Sequence, residues 1–337
     1  MLAALLRNPK TIDKNPLTLA DLPTPFPQRH EIRIHVNTCG MCHTDLHIVE
    51  GDIPLPKLPV IPGHQIVGVV EACGHEARRF KVGDRVGVPW LHHTCGHCHY
   101  CRRGNENLCE QAEFTGLQVD GGYAELSVID EAFATPLPKN FSDHQAAPLL
   151  CAGVIGYRAL RLSEIRPYEN LGLFGFGASA HIAIQIARHW HCEVYVFTRS
   201  PEHQRHAQAL GAAWVGKAED SPPAKIQGAI VFAPAGYLVI DALSVLDKGG
   251  TVALASITMT PIPEIDYNRL LYHERRIRSV ANATRRDAEE LLALAVEIPV
   301  RTEVEIFPLI EINQSLHKLK KSQIRGAGVI GISSTLH

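Results

Sequence analysis

No apolar run in this sequence approaches the ~18 residues that a membrane-spanning helix needs. The opening Met1–Leu6 stretch is interrupted by Arg7, Pro9 and Lys10, too early for the hydrophobic segment of a secretory signal. A soluble, cytoplasmic protein without a membrane partner is therefore expected. Blocks of about five or six like charges are also missing. With 33 basic against 35 acidic residues the formal charge is −2, so nothing marks a binder of nucleic acid. Internal repeats, low-complexity tracts and Ser/Gly linkers are absent. What remains open is a small-molecule partner.

Cysteine, by contrast, is present in an odd number, nine. In a reducing compartment such a set points to metal ligation rather than a disulfide framework. If six of them serve metals, Cys39, Cys73 and Cys192 are left over, and these three are expected to be packing residues.

At 337 residues the chain exceeds the ~250 to 300 over which a single core usually grows, so two domains are expected. Up to about Ile129 strand signals alternate with frequent turns, in Glu31–Val36, Gln65–Glu71 and Gly83–Val88. After about Ala152 apolar strands (171–174, 193–198, 228–232, 251–256) are separated by helical patterns (179–190, 201–210, 237–246). That alternation predicts an α/β half built on an open, mostly parallel sheet covered on both faces. A further helix is predicted over 286–298.

Four thiols stand within fifteen residues, Cys95, Cys98, Cys101 and Cys109, spaced C-x2-C-x2-C-x7-C. Four thiolates suit a closed tetrahedral zinc that holds together a loop with few apolar residues to bury. A nucleic-acid zinc ribbon is the other reading, though its two knuckles usually stand ~15 to 20 residues apart. His92, His93, His97 and His99 crowd the same loop. A second set is dispersed: Cys42 in Cys39–His47, His64 after Pro62-Gly63, and Cys151 in Leu149–Gly153. Two cysteines and one histidine would leave a zinc one open position, the catalytic arrangement. Taken alone, Cys39–His47 also fits a strand end with a buried thiol and a surface histidine. Spacing does not establish that the three distant residues meet, although the turn before His64 and a domain junction near Cys151 make an interdomain cleft a natural place.

The G-x-G-x-x-A pattern Gly175-Phe-Gly177-Ala178-Ser-Ala180 follows Gly172 on an apolar strand and opens a helix. There the glycines permit close approach of a pyrophosphate, and the helix start offers free N–H groups. The following strand ends at Thr198-Arg199-Ser200 without the carboxylate that an NAD ribose expects. A hydroxyl and a guanidinium are instead available for a 2′-phosphate, so NADP(H) is favoured over NAD(H).

Read in order, Cys42-His-Thr-Asp-Leu-His47, Gly63-His64, Gly83-Asp-Arg-Val-Gly87, the four-cysteine lobe, Gly121-Gly-Tyr-Ala-Glu125 and the glycine-rich turn make the whole chain similar to zinc-dependent alcohol dehydrogenases of the medium-chain dehydrogenase/reductase family. The resemblance implies a GroES-like catalytic domain over 1–152 with a zinc lobe at about 92–110. A Rossmann domain follows over 153–285, and a segment over 286–337 returns to the catalytic part. It also implies reversible oxidation of an alcohol with two zinc ions per subunit, one catalytic (Cys42, His64, Cys151) and one structural. Asp45 would orient the ligating histidine. Thr44 would contact the substrate hydroxyl, and His47 would form the outer end of a proton relay. Trp90 matches a substrate-pocket position and would narrow the pocket toward small primary alcohols and their aldehydes; a core tryptophan is the alternative. A homodimer or homotetramer is implied as well.

Three positions depart from the family pattern. Gln65 stands where the family has Glu, which should leave the metal more electrophilic or else have no kinetic consequence. Ile155 replaces a common Thr, and Arg325-Gly326 does not reproduce the late Gly-Arg pair, so that pyrophosphate contact is not carried over. Competing readings are a zinc-free quinone or enone reductase and a non-catalytic member of the same fold.

Overall fold

The computed structural model describes residues 1–298 and 300–332. Position 299 and the last five positions of the 286–337 segment lie outside the described residues. The chain forms two compact units. One comprises Met1–Cys151, Asn282–Val296 and Arg301–His337, and the other Ala152–Ala281 with Glu297–Val300.

In the first unit a seven-stranded sheet runs in the order Val304–Pro308, Ala327–Gly331, Glu31–Met41, Gln65–Cys73, Arg85–Val88 and Thr135–Pro136, with Leu126–Asp130 also pairing to Glu31–Met41. Alternation along these strands turns Ile32, Ile34, Val36, Ile66, Val70, Val86 and Ile129 into a sealed core. Gly68 is required for the close approach of two strands: a Cβ there would lie 2.1 Å from the carbonyl oxygen of His35. The C-terminal strand pairs Gly328 with Met41, which anchors the residue just before Cys42. The strand Glu31–Met41 then turns directly into the helix His43–Glu50.

The second unit is a six-stranded, wholly parallel sheet in the order Trp214–Gly216, Glu193–Phe197, Asn170–Phe174, Ile226–Val231, Leu246–Leu254 and Arg276–Ser279. Helices Ala178–His189, Pro201–Ala209 and Tyr237–Val245 lie between strands in sequence. Because the central strands are covered on both faces, they are apolar at consecutive positions, as in Leu171, Leu173 and Phe174 or Ala229, Ile230 and Val231. Counted along the chain, the strand order is 3-2-1-4-5-6, the doubly wound Rossmann arrangement. The order reverses at Asn170–Phe174, from whose carboxyl end the glycine-rich turn departs. Among the described residues no helix is long and apolar enough to cross a membrane.

Candidate metal centre and nucleotide site

The helix His43–Glu50 is capped by sulfur. Cys42 takes the extended N-cap conformation, and its Sγ accepts the backbone N–H of Thr44 at 3.3 Å. Asp45 closes a capping box by accepting the Cys42 N–H at Oδ2, 2.9 Å away. The thiol therefore sits at the positive end of a helix, where a thiolate is favoured.

Asp45 has a second task. Its Oδ1 lies 2.8 Å from Nδ1 of His64, so the imidazole donates there and turns Nε2 the other way. Nε2 lies 3.5 Å from Cys42 Sγ and 3.3 Å from Cys151 Sγ, and the two sulfurs are 3.9 Å apart. A tetrahedral zinc with bonds of about 2.3 Å to sulfur and about 2.05 Å to nitrogen would have edges of about 3.8 and 3.6 Å. The three donors therefore fit such an ion. Electrostatics agree with the geometry. Burial pushes the His64 pKa down, but the charges of Asp45 and Cys42 outweigh it and lift it to about 10. Contact with the Cys151 thiol, aided by His64 and opposed by burial, holds Cys42 well below its usual range. Contact with Cys42 and burial drive Cys151 well above its own. A thiolate favoured at Cys42 by its neighbours is the form that binds a divalent cation.

The second thiol group closes in the same way. Cys95 Sγ lies 3.6 Å from Cys109 Sγ and 4.0 Å from Cys101 Sγ, and Cys98 Sγ is 3.5 Å from Cys101 Sγ. The backbone amide of His97, with that of Cys98, lowers the Cys95 pKa to about 6 against the effect of burial. The Cys98 and Gln111 amides donate to Cys95 and Cys109 sulfur at 3.3 and 3.4 Å. All nine cysteines are free thiols, with Cys39 and Cys192 buried and Cys73 half-buried.

Around the first group, Thr44 is buried on the first turn of the capped helix, and His47 follows one turn later, on the same face. Trp90 meets the His64 ring edge-on, with centroids 4.8 Å apart, and is stacked on Phe114 at 5.1 Å and 16°. Sequence reasoning missed Phe114. It lies opposite Leu91 in the short antiparallel pair that Leu91–His93 makes with Glu113–Phe114. Asp52, whose Oδ2 is 2.8 Å from His47 Nδ1, was also missed; its signal is the helix-stopping Gly51 just before it. Gln65 is buried and lies over Gly40, where a Cβ would come within 2.6 Å of its Oε1.

In the second unit Gly172 lies on the central strand, where a Cβ would strike the Ile226 side chain at 2.6 Å. Gly175 takes φ +90°, a conformation that side chains disfavour. Gly177 is the N-cap of the helix Ala178–His189, and a Cβ there would meet nothing within 4 Å. The turn thus leaves room at a helix N-terminus, which fits a pyrophosphate. Ala180 is sealed in the helix–sheet packing. Thr198 is buried, its N–H donating to the Gly216 carbonyl at 2.8 Å. Arg199 is exposed, and Ser200 caps the helix Pro201–Ala209.

Two family models match the chain, an alcohol dehydrogenase GroES-like domain over residues 28–139 and a zinc-binding dehydrogenase over 180–297. A probable alcohol dehydrogenase, AdhA, of Mycobacterium tuberculosis is 45% identical over 335 residues, covering 98% of this chain and 97% of that protein. An alcohol dehydrogenase of Geobacillus stearothermophilus is 36% identical over 328 residues, 95% and 97% of the two chains. Among solved structures, a cinnamyl alcohol dehydrogenase from Sorghum bicolor aligns with a TM-score of 0.88 at 27% identity, over 97% of each chain. The alcohol dehydrogenase of Aeropyrum pernix aligns with a TM-score of 0.86 at 28% identity, over 98% of this chain and 100% of that one.

Proposed function

The chain belongs to the zinc-type alcohol dehydrogenases of the medium-chain dehydrogenase/reductase family, with a GroES-like unit and a Rossmann unit, and from that premise we propose that it interconverts a small primary alcohol and its aldehyde. In this reading Cys42, His64 and Cys151 hold a catalytic zinc, Cys95, Cys98, Cys101 and Cys109 hold a structural one, and NADP(H) is preferred to NAD(H). The observation that carries it is the match between the 3.3, 3.5 and 3.9 Å separations of the three donors and the edges of a zinc tetrahedron.

Bound there, zinc supplies Lewis acidity to the alcohol oxygen, and the nicotinamide supplies a hydride acceptor. The protein's own residues do the rest. Asp45 keeps the proton on Nδ1 of His64 and so keeps Nε2 free as a donor atom. Thr44 Oγ1 would accept the hydroxyl proton of the alcohol while giving up its own proton toward His47, which would release one to solvent. Trp90, braced by Phe114, limits the width beside His64, which supports small unbranched substrates. At the end of the second Rossmann strand, Thr198 and Arg199 oppose no carboxylate to a 2′-phosphate, which supports NADP(H). Nine free thiols suit a cytoplasmic protein, and a homodimer or homotetramer completes the reading. A zinc-free quinone or enone reductase is not favoured, since a full set of donors is present.

Metal analysis joined to kinetics with both cofactors tests this. Two zinc ions per chain are expected, one after Cys151→Ser, with turnover of small primary alcohols lost in the variant. A wild-type chain that binds a single zinc, or none, while still oxidising alcohols would overturn the assignment. A lower KM for NAD than for NADP would overturn the cofactor preference.

A further inference from the structure

The segment Gly121–Glu125, to which the reading above gives no task, is stitched to the residues that lead into His64. The N–H groups of Gly121, Gly122 and Tyr123 donate to the carbonyls of Ile61, Gly63 and Pro62 at 2.7, 2.8 and 3.0 Å. Gly63 takes φ +98°, and a Cβ there would lie 2.7 Å from Cδ1 of Tyr123, so the phenol ring rests on the backbone just before His64. Tyr123 is entirely buried, and its hydroxyl has no partner at hydrogen-bonding geometry. Phenylalanine would fill the same space without a buried donor left unpaired, so the oxygen needs a physical reason. Asp45, bonded to the neighbouring His64, offers one. Burial pushes the Tyr123 pKa well above its ordinary range, and the charges of Asp45, Cys39 and Cys42, with contact from the Asp45 side chain, push it further.

We propose that Tyr123 is a positioning residue for the Cys42, His64 and Cys151 centre, its hydroxyl serving as a third donor that stops the Asp45 carboxylate from turning away from its other two partners. The inference rests on the reading of those three residues as zinc ligands. Asp45 has acceptor sites to spare. A carboxylate offers about four lone-pair directions, and here one oxygen takes His64 Nδ1–H and the other the Cys42 N–H. The side chain is sealed from solvent, so no water steadies it and only its protein hydrogen bonds resist rotation about Cβ–Cγ. The phenol is suited to add to them, because its ring is fixed against Gly63 and therefore follows the backbone that carries His64. A hydroxyl hydrogen turns freely, and when the site is loaded it closes onto the carboxylate.

Chelator competition on the zinc-loaded full-length enzyme tests this, with Tyr123→Phe deleting only the oxygen. The ion of the Cys42 group should be held about three- to tenfold more weakly than in wild type, a smaller loss than for a group bonded directly to a ligand. The four-cysteine ion should leave at the wild-type chelator concentration, which also shows that the variant is folded. In an Asp45→Ala background, where the acceptor is gone, Tyr123→Phe should change the release by less than about twofold. Release of both ions from Tyr123→Phe at their wild-type positions would overturn the proposal, and so would an undiminished effect in the Asp45→Ala background. Equal loosening of both ions would assign the hydroxyl to the fold and overturn it too. A wild-type chain that takes no zinc at the Cys42 group would remove the reading beneath the proposal, and the proposal with it.

Discussion

Oδ1 of Asp45 lies 2.8 Å from Nδ1 of His64, and neither side chain is more than 1% exposed to solvent. The same carboxylate caps the helix that begins after Cys42. One buried group therefore fixes the orientation of two of the three donors, which come from positions 22 residues apart.

Replacing Asp45 by Asn keeps a capping oxygen but removes the charge beside His64. Zinc affinity at the Cys42 group should fall by about tenfold to a hundredfold. The four-cysteine group should be unaffected, so chelator competition should release one ion earlier from the variant and the other at the wild-type position. Identical release of both ions would show that Asp45 does not act on the metal.

The four-cysteine lobe is tied to the helix Arg285–Glu297 by a fork of hydrogen bonds. The Arg285 guanidinium meets Glu106 at 2.5 to 3.1 Å, and the Arg285 backbone N–H donates to the same carboxylate at 2.9 Å. The ring of Phe133 lies beneath the guanidinium at 4.5 Å. Burial would raise the Glu106 pKa, but the Arg285 contacts outweigh it and hold it below its ordinary value. A depressed folded pKa stabilises the protein above the unfolded value, and that contribution is lost as pH falls through the folded one. Glu106→Gln should therefore cost about 1 to 2 kcal/mol at neutral pH, discounted because Arg285 is partly exposed. The deficit should vanish in acid below the carboxylate range. Urea midpoints of variant and wild type at the two pH values check this; a deficit that persists in acid would contradict it.

Trp90 stands between His64 and Phe114, and a stacked pair is worth about 0.5 to 1.5 kcal/mol beyond its buried area. Trp90→Ala should raise kcat/KM for branched or aromatic primary alcohols relative to ethanol by about tenfold. Phe114→Leu, which leaves the indole in place but unbraced, should give part of that change and alter the tryptophan emission. A Trp90→Ala enzyme with the wild-type order of substrates would make Trp90 a packing residue only.

The parallel sheet was legible because strands covered on both faces must be apolar at consecutive positions, and Leu171–Phe174 and Val194–Phe197 are. Four thiols within one loop were legible for a related reason, since local spacing limits how they can be arranged. The helix His43–Glu50 was not foreseen, because its cap is a sulfur where sequence reading looks for Ser, Thr, Asn or Asp. Nor does local pattern reveal that His64 and Cys151 approach Cys42, because tertiary packing decides it; Gly40 and Gln65 face each other across two strands just before Cys42 and just after His64. Asp52 and Phe114 were hidden for the same reason, each meeting its partner through a backbone reversal or a cross-strand pair rather than through a motif.

The proposed preference for NADP(H) rests on one exposed cation. Arg199 follows the buried Thr198, whose backbone is held by Gly216 and by the Gln204 side chain at 2.8 and 2.9 Å. The guanidinium is therefore anchored at a fixed base while its head remains free in solvent. A charge-assisted contact to a 2′-phosphate would be lost in Arg199→Ala, so KM for NADP should rise about tenfold while KM for NAD stays within about a factor of two. Arg199→Asp should go further, because a carboxylate repels the phosphate and offers acceptors to the ribose hydroxyls of NAD. If both variants keep the wild-type ratio of the two KM values, some other part of the chain chooses the cofactor.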